Sequence, residues 1–477
     1  MSSLQTFRPL FEPACIAVVG ASASAVSGGN RFIRHLKNFG YPGRIIPIHP
    51  SASEIEGLPA CRSLADVPVP VDYAYVAVAA RVAAEVLRSG RGKVLFAQVM
   101  SSGFGETDDG AGLEAELAAA ARDAGTRLIG PNCLGVYAPK ARVTFTDKTS
   151  TEPGPVAIIC QSGGLGIDII RRGQNRGLRF SGLVTIGNAV DLGAAELLEY
   201  FFEDDSTRVI GLYLEGTREG RRLFEVLRAN RGRKPVVLLK GGRTQQGRRA
   251  AASHTGALAG SDRSWRALCR QTGVPMVDTL DEFLDALLVF QCLPLRSQTS
   301  TRAVLFGNGG GTSVLGTDAF DRSGFLIPSF SGPTVALLEA LQLPPGSSIA
   351  NPIDVPAGAL QQDEGRVAER IIQAVASSHE ADALVIHLNM TVILSFKHVD
   401  MLGNIIRAAL SVLGEPGDRM HVILVLRSDG DVQIEDRKFE YRRTAIQNGV
   451  PVFDELSQAA KALACLKTVE NFRGRGS

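Results

Sequence analysis

The sequence has almost no net charge: 51 basic residues stand against 49 acidic ones, a balance of +2 over 477 residues. So small an excess leaves no electrostatic footprint for nucleic acid or for an anionic membrane surface. Long hydrophobic runs are missing as well. The apolar stretch from Tyr73 to Leu87 is broken by Arg81 and Glu85, and nothing reaches the roughly 20 residues that a membrane span needs. The seven cysteines are scattered, with no CxxC pair and no Cys/His spacing of a zinc site. That points away from a bound metal and suits a reducing, cytoplasmic setting. One Arg and an early Pro13 precede the first apolar run, so no signal peptide is expected. Low-complexity tracts and short solenoid repeats are also absent.

What is present is an ordinary globular composition, 45% apolar and 21% charged, with 51 glycines. Many of those glycines follow apolar runs, the pattern of tight turns between strand and helix in α/β proteins. The length corresponds to about three domains. After a short arm, Cys15 to Gly20 is expected as a strand, followed by a small-residue turn and a helix over 31–40. Further strands are expected at 44–50, 73–79, 94–99 and 127–129, with an Ala-rich helix over 112–124. Strand, turn and helix repeating at this spacing predict a parallel sheet with a ligand at its carboxyl edge. The first turn is not GxGxxG, and His49-Pro50-Ser51 stands where a dinucleotide fold would place its ribose-binding acid. A phosphate-bearing ligand at the helix start fits better than a nicotinamide cofactor.

A joint at 151–155 opens a second unit with strands at 156–160 and 209–216. Between them lies QSGGLG (Gln161 to Gly166), the turn that enters the next helix. A strand at 235–239 then leads into a long small-residue loop holding Ser253-His254-Thr255-Gly256. A helix over 262–272, capped by Ser261 or Asp262, closes that loop. Small neighbours leave the imidazole of His254 open to a ligand. Arg243, Arg248 and Arg249 in the same stretch could meet phosphate, an acidic partner or only solvent. A second joint over 292–302 precedes a third α/β unit, with strands at 383–388 and 421–426. The Gly-rich turn of that unit, Gly307 to Gly311, is either an anion site or a plain tight turn.

Six motifs, GASASAVSGGN, GPNCLG, QSGGLG, IGNAVD, YLEG and SHTGALAG, stand in this order along the chain. Together they resemble the NDP-forming acyl-CoA synthetases, and the domain order resembles that of the α subunit of the ADP-forming acetate–CoA ligases. The resemblance implies a Rossmann-like CoA-binding domain (1–140) followed by two flavodoxin-like domains (151–292 and 302–465). It implies an acid–CoA ligase working through an acyl phosphate and a phosphohistidine, with His254 as phosphoryl carrier and Glu215 orienting its ring. Ser162, Gly163, Gly164, Thr255 and Gly256 would bind the phosphate. CoA would lie along Gly20, Ala21, Ser22, Gly29, Asn30, His49, Pro50, Ser101, Ser102 and Gly103, with Asn132 and Cys133 near the thioester. Cys133 is expected to pack or position rather than attack, since no base sits beside it in sequence. Ala79-Ala80 depart from the Val-Pro pair common in the family.

By the same resemblance the nucleotide site, with ATP or ADP and Mg²⁺, belongs to an ATP-grasp β subunit. The assembly would be a hetero-oligomer or a homodimer acting on a small carboxylic acid. A CoA-sensing protein without turnover is the alternative, and the presence of both His254 and Glu215 weighs against it.

Overall fold

The computed structural model describes residues 2–107, 109–255, 260–396, 398–413 and 420–474. The side chains of residues 252–255, 364 and 365 lie outside that description. Two compact units divide the chain, Met1–Leu280 and Asp281–Ser477.

The first unit holds two sheets. One is built from β1 (Cys15–Val19), β2 (Arg44–Ile48), β5 (Val71–Val76), β6 (Val94–Val99) and β7 (Arg127–Ile129), in the order β2-β1-β5-β6-β7. The small hairpin of β3 (Glu54–Ile55) and β4 (Leu58–Pro59) stands apart from it. The other contains β8 (Val136–Tyr137), β9 (Pro153–Cys160), β10 (Phe180–Thr185), β11 (Val209–Leu214), β12 (Val236–Lys240) and β13 (Met276–Val277). Its order is β13-β12-β11-β9-β10-β8, with β8 the antiparallel edge beside β10. The second unit carries β14 (Ala303–Gly307), β15 (Ile353–Asp354), β16 (Ala383–Asn389), β17 (His421–Arg427) and β18 (Val452–Phe453), ordered β15-β14-β16-β17-β18. Leaving β8 aside, all three sheets are parallel and share one winding, second-first-third-fourth-fifth. In each, the switch point lies between the first strand and the third, where ligands of open α/β sheets bind.

Continuous apolar runs explain the strands. β1, β12 and β14 are buried along their whole length, as expected when helices cover both faces of a parallel sheet. Most boundaries predicted above hold to within a few residues. The region around His254 differs: Gln245–Thr255 is an α-helix, not a loop. Its stretch QQGRRAAA is rich in strong helix formers, and the Thr244 hydroxyl accepts from Gly247 N (3.0 Å) at its first turn. Ser261, not Asp262, caps the next helix, accepting from Ser264 N. Among the strands not anticipated, β8, β13, β15 and β18 are two residues long, too short to show a period.

The core of the second unit contains His387 on β16, fully buried, with Nε2 3.1 Å from Ser313 Oγ and, among the described residues, no partner for Nδ1. Burial, and then the charge of Arg427, pushes its pKa from 6.5 down to about 4. The folded ring is therefore neutral, and protonation favours the unfolded chain. This stability is complete above pH 6.5 and is lost as pH falls towards 4, on the order of 3 kcal/mol across that window. Urea unfolding of the wild type and His387→Gln between pH 7 and 4.5 should show a shallower acid limb in the variant. Parallel limbs would show that the ring is not held neutral.

Candidate functional site

At the first switch point the backbone itself forms the cradle. Gly20 follows β1 with φ +92°, and a Cβ there would lie 2.2 Å from Ala77 O, just past β5. A Cβ on Gly29 would come within 2.5 Å of Ala21 N. Only glycine lets the start of helix Gly28–Phe39 sit so close to the turn. Ser27 caps this helix in a reciprocal box with Asn30. The buried Asn30 amide also accepts from Ser22 N (2.8 Å) and donates to Ser22 O (3.0 Å) and Glu56 Oε1 (2.8 Å). Asn30 therefore fixes the turn from behind, while Ser22 lies on its open side.

Three further turns surround this edge. His49 Nδ1 accepts from Ser51 N (3.2 Å) and Ala52 N (2.9 Å), so a neutral ring carries its proton on Nε2; Pro50 beside it is exposed. Ser101 Oγ donates to Val78 O, Ser102 is exposed, and Gly103 adopts φ +99°. Asn132 N donates to Ser101 O (3.1 Å), which brings the GPNC turn alongside. Cys133 is buried, and burial pushes its thiol up to about 12. That makes it a packing group, not a nucleophile.

A polar knot ties this edge to the second sheet. Asn188, 2% exposed, donates through Nδ2 to Glu106 Oε2 (2.7 Å) and Glu114 Oε2 (2.8 Å). Glu106 Oε1 accepts from Gly103 N (2.6 Å), and Glu114 accepts from Gly105 N and from Arg218. Burial alone would raise the Glu106 pKa, but the Asn188 amide and the Gly103 and Phe104 amides outweigh it and hold it low. IGNAVD was visible as a motif, yet nothing in the sequence said which side chains its asparagine would meet.

On the second sheet, β9, β11 and β12 run side by side and bring their following turns to one edge. Ser162 caps helix Gly163–Asn175, accepting from Leu165 N, and Gly164 is exposed with open space at its Cβ position. Gln161 Oε1 accepts from Glu215 N (2.7 Å) and Gly216 N (3.1 Å), pinning the turn after β11 to the turn after β9. Lys240 Nζ donates to Glu215 O (2.8 Å) from the other side, and burial lowers its pKa to about 8. Tyr213 OH donates to Glu215 Oε1 (3.0 Å); burial, reinforced by that carboxylate, raises the phenol's pKa and keeps its proton on. Glu215 Oε2 is buried with no partner among the described residues.

The helix bearing His254 follows β12 directly, and Ala251 packs within 3.1 Å of the Cβ position at Gly242. The rings and hydroxyls of Ser253, His254 and Thr255, and all of Gly256, lie outside the described residues. Arg243 is taken up by Asp262 (2.9 Å) and Asp278, and Arg248 donates to Arg243 O. Gln161 and Tyr213 open the QSGGLG and YLEG motifs and Lys240 ends β12, yet none was anticipated as part of this site, since each acts through backbone or a neighbour.

These features define a class: a glycine-built ligand cradle joined to a second parallel layer with a buried, half-satisfied carboxylate. Residues 14–139 match the family described as CoA binding domain, and residues 153–290 the succinyl-CoA ligase like flavodoxin domain. The α subunit of acetate–CoA ligase [ADP-forming] I from Pyrococcus furiosus is 33% identical over 97% of both chains. The longer acetate–CoA ligase [ADP-forming] I of Archaeoglobus fulgidus is 32% identical, aligning 96% of this chain with 63% of its own length. Among solved structures, the dinucleotide-forming acetyl-coenzyme A synthetase 1 of Ca. Korarchaeum cryptofilum, in complex with phosphate and ADP, superposes with a TM-score of 0.83 at 28% identity. That match covers 98% of this chain and 97% of the other. The chain belongs to the NDP-forming acyl-CoA synthetase superfamily and is an enzyme of that ligase class, with α-type organisation. No described helix is long and apolar enough to cross a membrane.

Asn188→Asp would set a third carboxylate against Glu106 and Glu114. It should cost roughly 1–3 kcal/mol at pH 7 and recover in part near pH 5, as one carboxyl takes up a proton. Chemical denaturation at both pH values checks this, and an unchanged midpoint at pH 7 would mean that Asn188 does not hold the two glutamates.

Proposed function

We propose that this chain is the α subunit of an ADP-forming acyl-CoA synthetase, interconverting acid, CoA and ATP with acyl-CoA, ADP and phosphate. The observation that carries the reading is Glu215 Oε2, a buried acceptor with no partner among the described residues, at the edge where the His254 helix begins its run. Leaving such an acceptor unmade costs about 1–3 kcal/mol, and an imidazole N–H is a donor that would satisfy it. Phosphate attacks the thioester carbonyl, giving acyl phosphate and free CoA. One nitrogen of His254 then takes the phosphoryl group as the carboxylate leaves. The ring gains positive charge in that step, and Glu215, bonded to its other nitrogen, offsets it. Ser162, Gly163 and Gly164 at one helix start, with Thr255 and Gly256, hold the phosphate oxygens.

CoA fits the first switch point, because Gly20 and Gly29 let helix Gly28–Phe39 start hard against the turn after β1, and a helix start at a sheet edge favours phosphate. Gly20, Ala21 and Ser22 bind its phosphates, Gly29 and Asn30 hold that turn in shape, and His49, Pro50, Ser101, Ser102 and Gly103 line the rest. The 1–140, 151–292 and 302–465 divisions assign CoA to the first part and phosphoryl transfer to the second. ATP or ADP with Mg²⁺ then requires a partner, an ATP-grasp β subunit, because in-line transfer needs the nucleotide phosphates held against the phosphohistidine.

Incubation with acyl-CoA and labelled phosphate should give an acid-labile, base-stable label that His254→Ala abolishes. A label that persists in that variant, or that survives acid, overturns the assignment. Glu215→Gln should slow labelling by about 10²–10⁴-fold with CoA affinity near wild type. Tyr213→Phe should slow it less, since it frees the second Glu215 oxygen without removing the charge.

The isolated chain should make no acyl-CoA from ATP until an ATP-grasp subunit is added. Robust ATP-driven turnover by the chain alone would place a nucleotide site within it. CoA binding without labelling under any condition would favour the sensing alternative.

A further inference from the structure

The second unit has a cavity of about 570 Å³ at the carboxyl edge of its sheet, over the ends of β16, β17 and β18. Its size is within the usual range for small-molecule sites. Leu315, Val392 and Leu456 form apolar walls, and Leu315 is 71% exposed, on a helix of thirteen residues that otherwise buries its inner face. Arg427, from the end of β17, is half-buried among them. Its Nη2 donates to Asn308 O (3.2 Å), and its Nε is buried with no partner among the described residues. Gly309, at φ +138°, lies beside that Nη2, where a Cβ would meet it at an ordinary contact distance of 3.4 Å. The half-buried guanidinium thus has donors to spare, because it can make five hydrogen bonds.

We propose that this cavity binds an organic monocarboxylate with an apolar body, its carboxylate on Arg427 and its body against Leu315, Val392 and Leu456. Two features narrow the class. Asp429 and Glu455 stand exposed at the rim, and they repel polyanions such as nucleotides or CoA. The apolar walls add nothing for inorganic phosphate. A single carboxylate carrying an aromatic or branched body meets both conditions, and a hydroxyl on it would find an acceptor in either rim acid. The site is separate from the residues assigned above to CoA and phosphoryl transfer, and does not depend on that assignment.

The test is calorimetric titration of the full-length chain with phenylacetate, isobutyrate, inorganic phosphate and ATP. Phenylacetate should bind, and Arg427→Met should weaken it about 10- to 100-fold through loss of the charge-assisted bonds. Leu315→Asp, at an exposed position that leaves the core untouched, should weaken it as well, with an unaltered unfolding midpoint in the absence of ligand. Phosphate and ATP should show no binding that Arg427→Met removes. Phenylacetate binding that both variants leave intact belongs to another site and overturns the proposal. So does the absence of any acid binding, or phosphate binding as tightly with the same Arg427 dependence.

Discussion

A parallel strand cannot turn straight back to its neighbour; the chain must cross over through a helix, so every turn that leaves a strand's carboxyl end falls on one edge. This constraint places the chemistry of the molecule. Gly20, Ser101 and Gly103 reach one edge from β1 and β6. Ser162, Glu215 and Gly241 reach another from β9, β11 and β12. The same winding in the second unit brings Gly309, Asn389 and Arg427 together from β14, β16 and β17. Helix starts cluster on the same edges, where amide groups and positive helix ends face outward. An edge that favours anions on each sheet is thus a consequence of the winding, and side chains decide what each edge can hold.

Glu215 shows how side chains make that decision. Its backbone is held by Gln161 on one side and Lys240 on the other, and its Oε1 by Tyr213. Three independent elements fix one carboxylate so that a single oxygen is left over. The Tyr213 phenol keeps its proton because burial and the neighbouring carboxylate both oppose its ionisation. Cys160 beneath is held as a thiol, pushed up to about 12 by burial. The surroundings of Glu215 thus hold a protonated phenol, a protonated thiol and the Lys240 amine, with one carboxylate oxygen that has no partner among the described residues.

Much of this was legible in the sequence. Short apolar runs with glycine at their end or within three residues of it gave away β1, β9, β12 and β14, because runs of that length between turn signals are too short for a helix. Glu215 was readable as the residue that ends such a run. The His254 segment was misread as a loop, since its glycines and serines drew attention away from the alanines, glutamines and arginines that form Gln245–Thr255. The two-residue strands were illegible in principle, being added by pairing with longer neighbours. Gln161, Lys240 and Asn188 were missed because each works through a partner distant in sequence, which only the folded chain brings within reach; Tyr213 bonds Glu215 two residues on, a contact that the strand pattern alone does not reveal.

The Asn188 knot has a mechanical consequence. It joins the turn after β6, through Glu106 and the Gly103 amide, to the turn after β10. Gly187 reinforces the joint, because a Cβ there would lie 2.2 Å from Pro131 O, so backbone meets backbone with nothing between. Val190 N and Asn188 N bond to Gly130 O and Pro131 O on the same line. A shift of the turn at Gly103 would have to break a buried amide–carboxylate bond or drag the second sheet with it. The first course would leave the Asn188 amide, 2% exposed, short of an acceptor in the interior, which opposes it. The two edges of the first unit are therefore coupled through this joint. The His254 helix stands outside it, because its chain leaves the second sheet only after β12, at Gly241 and Gly242.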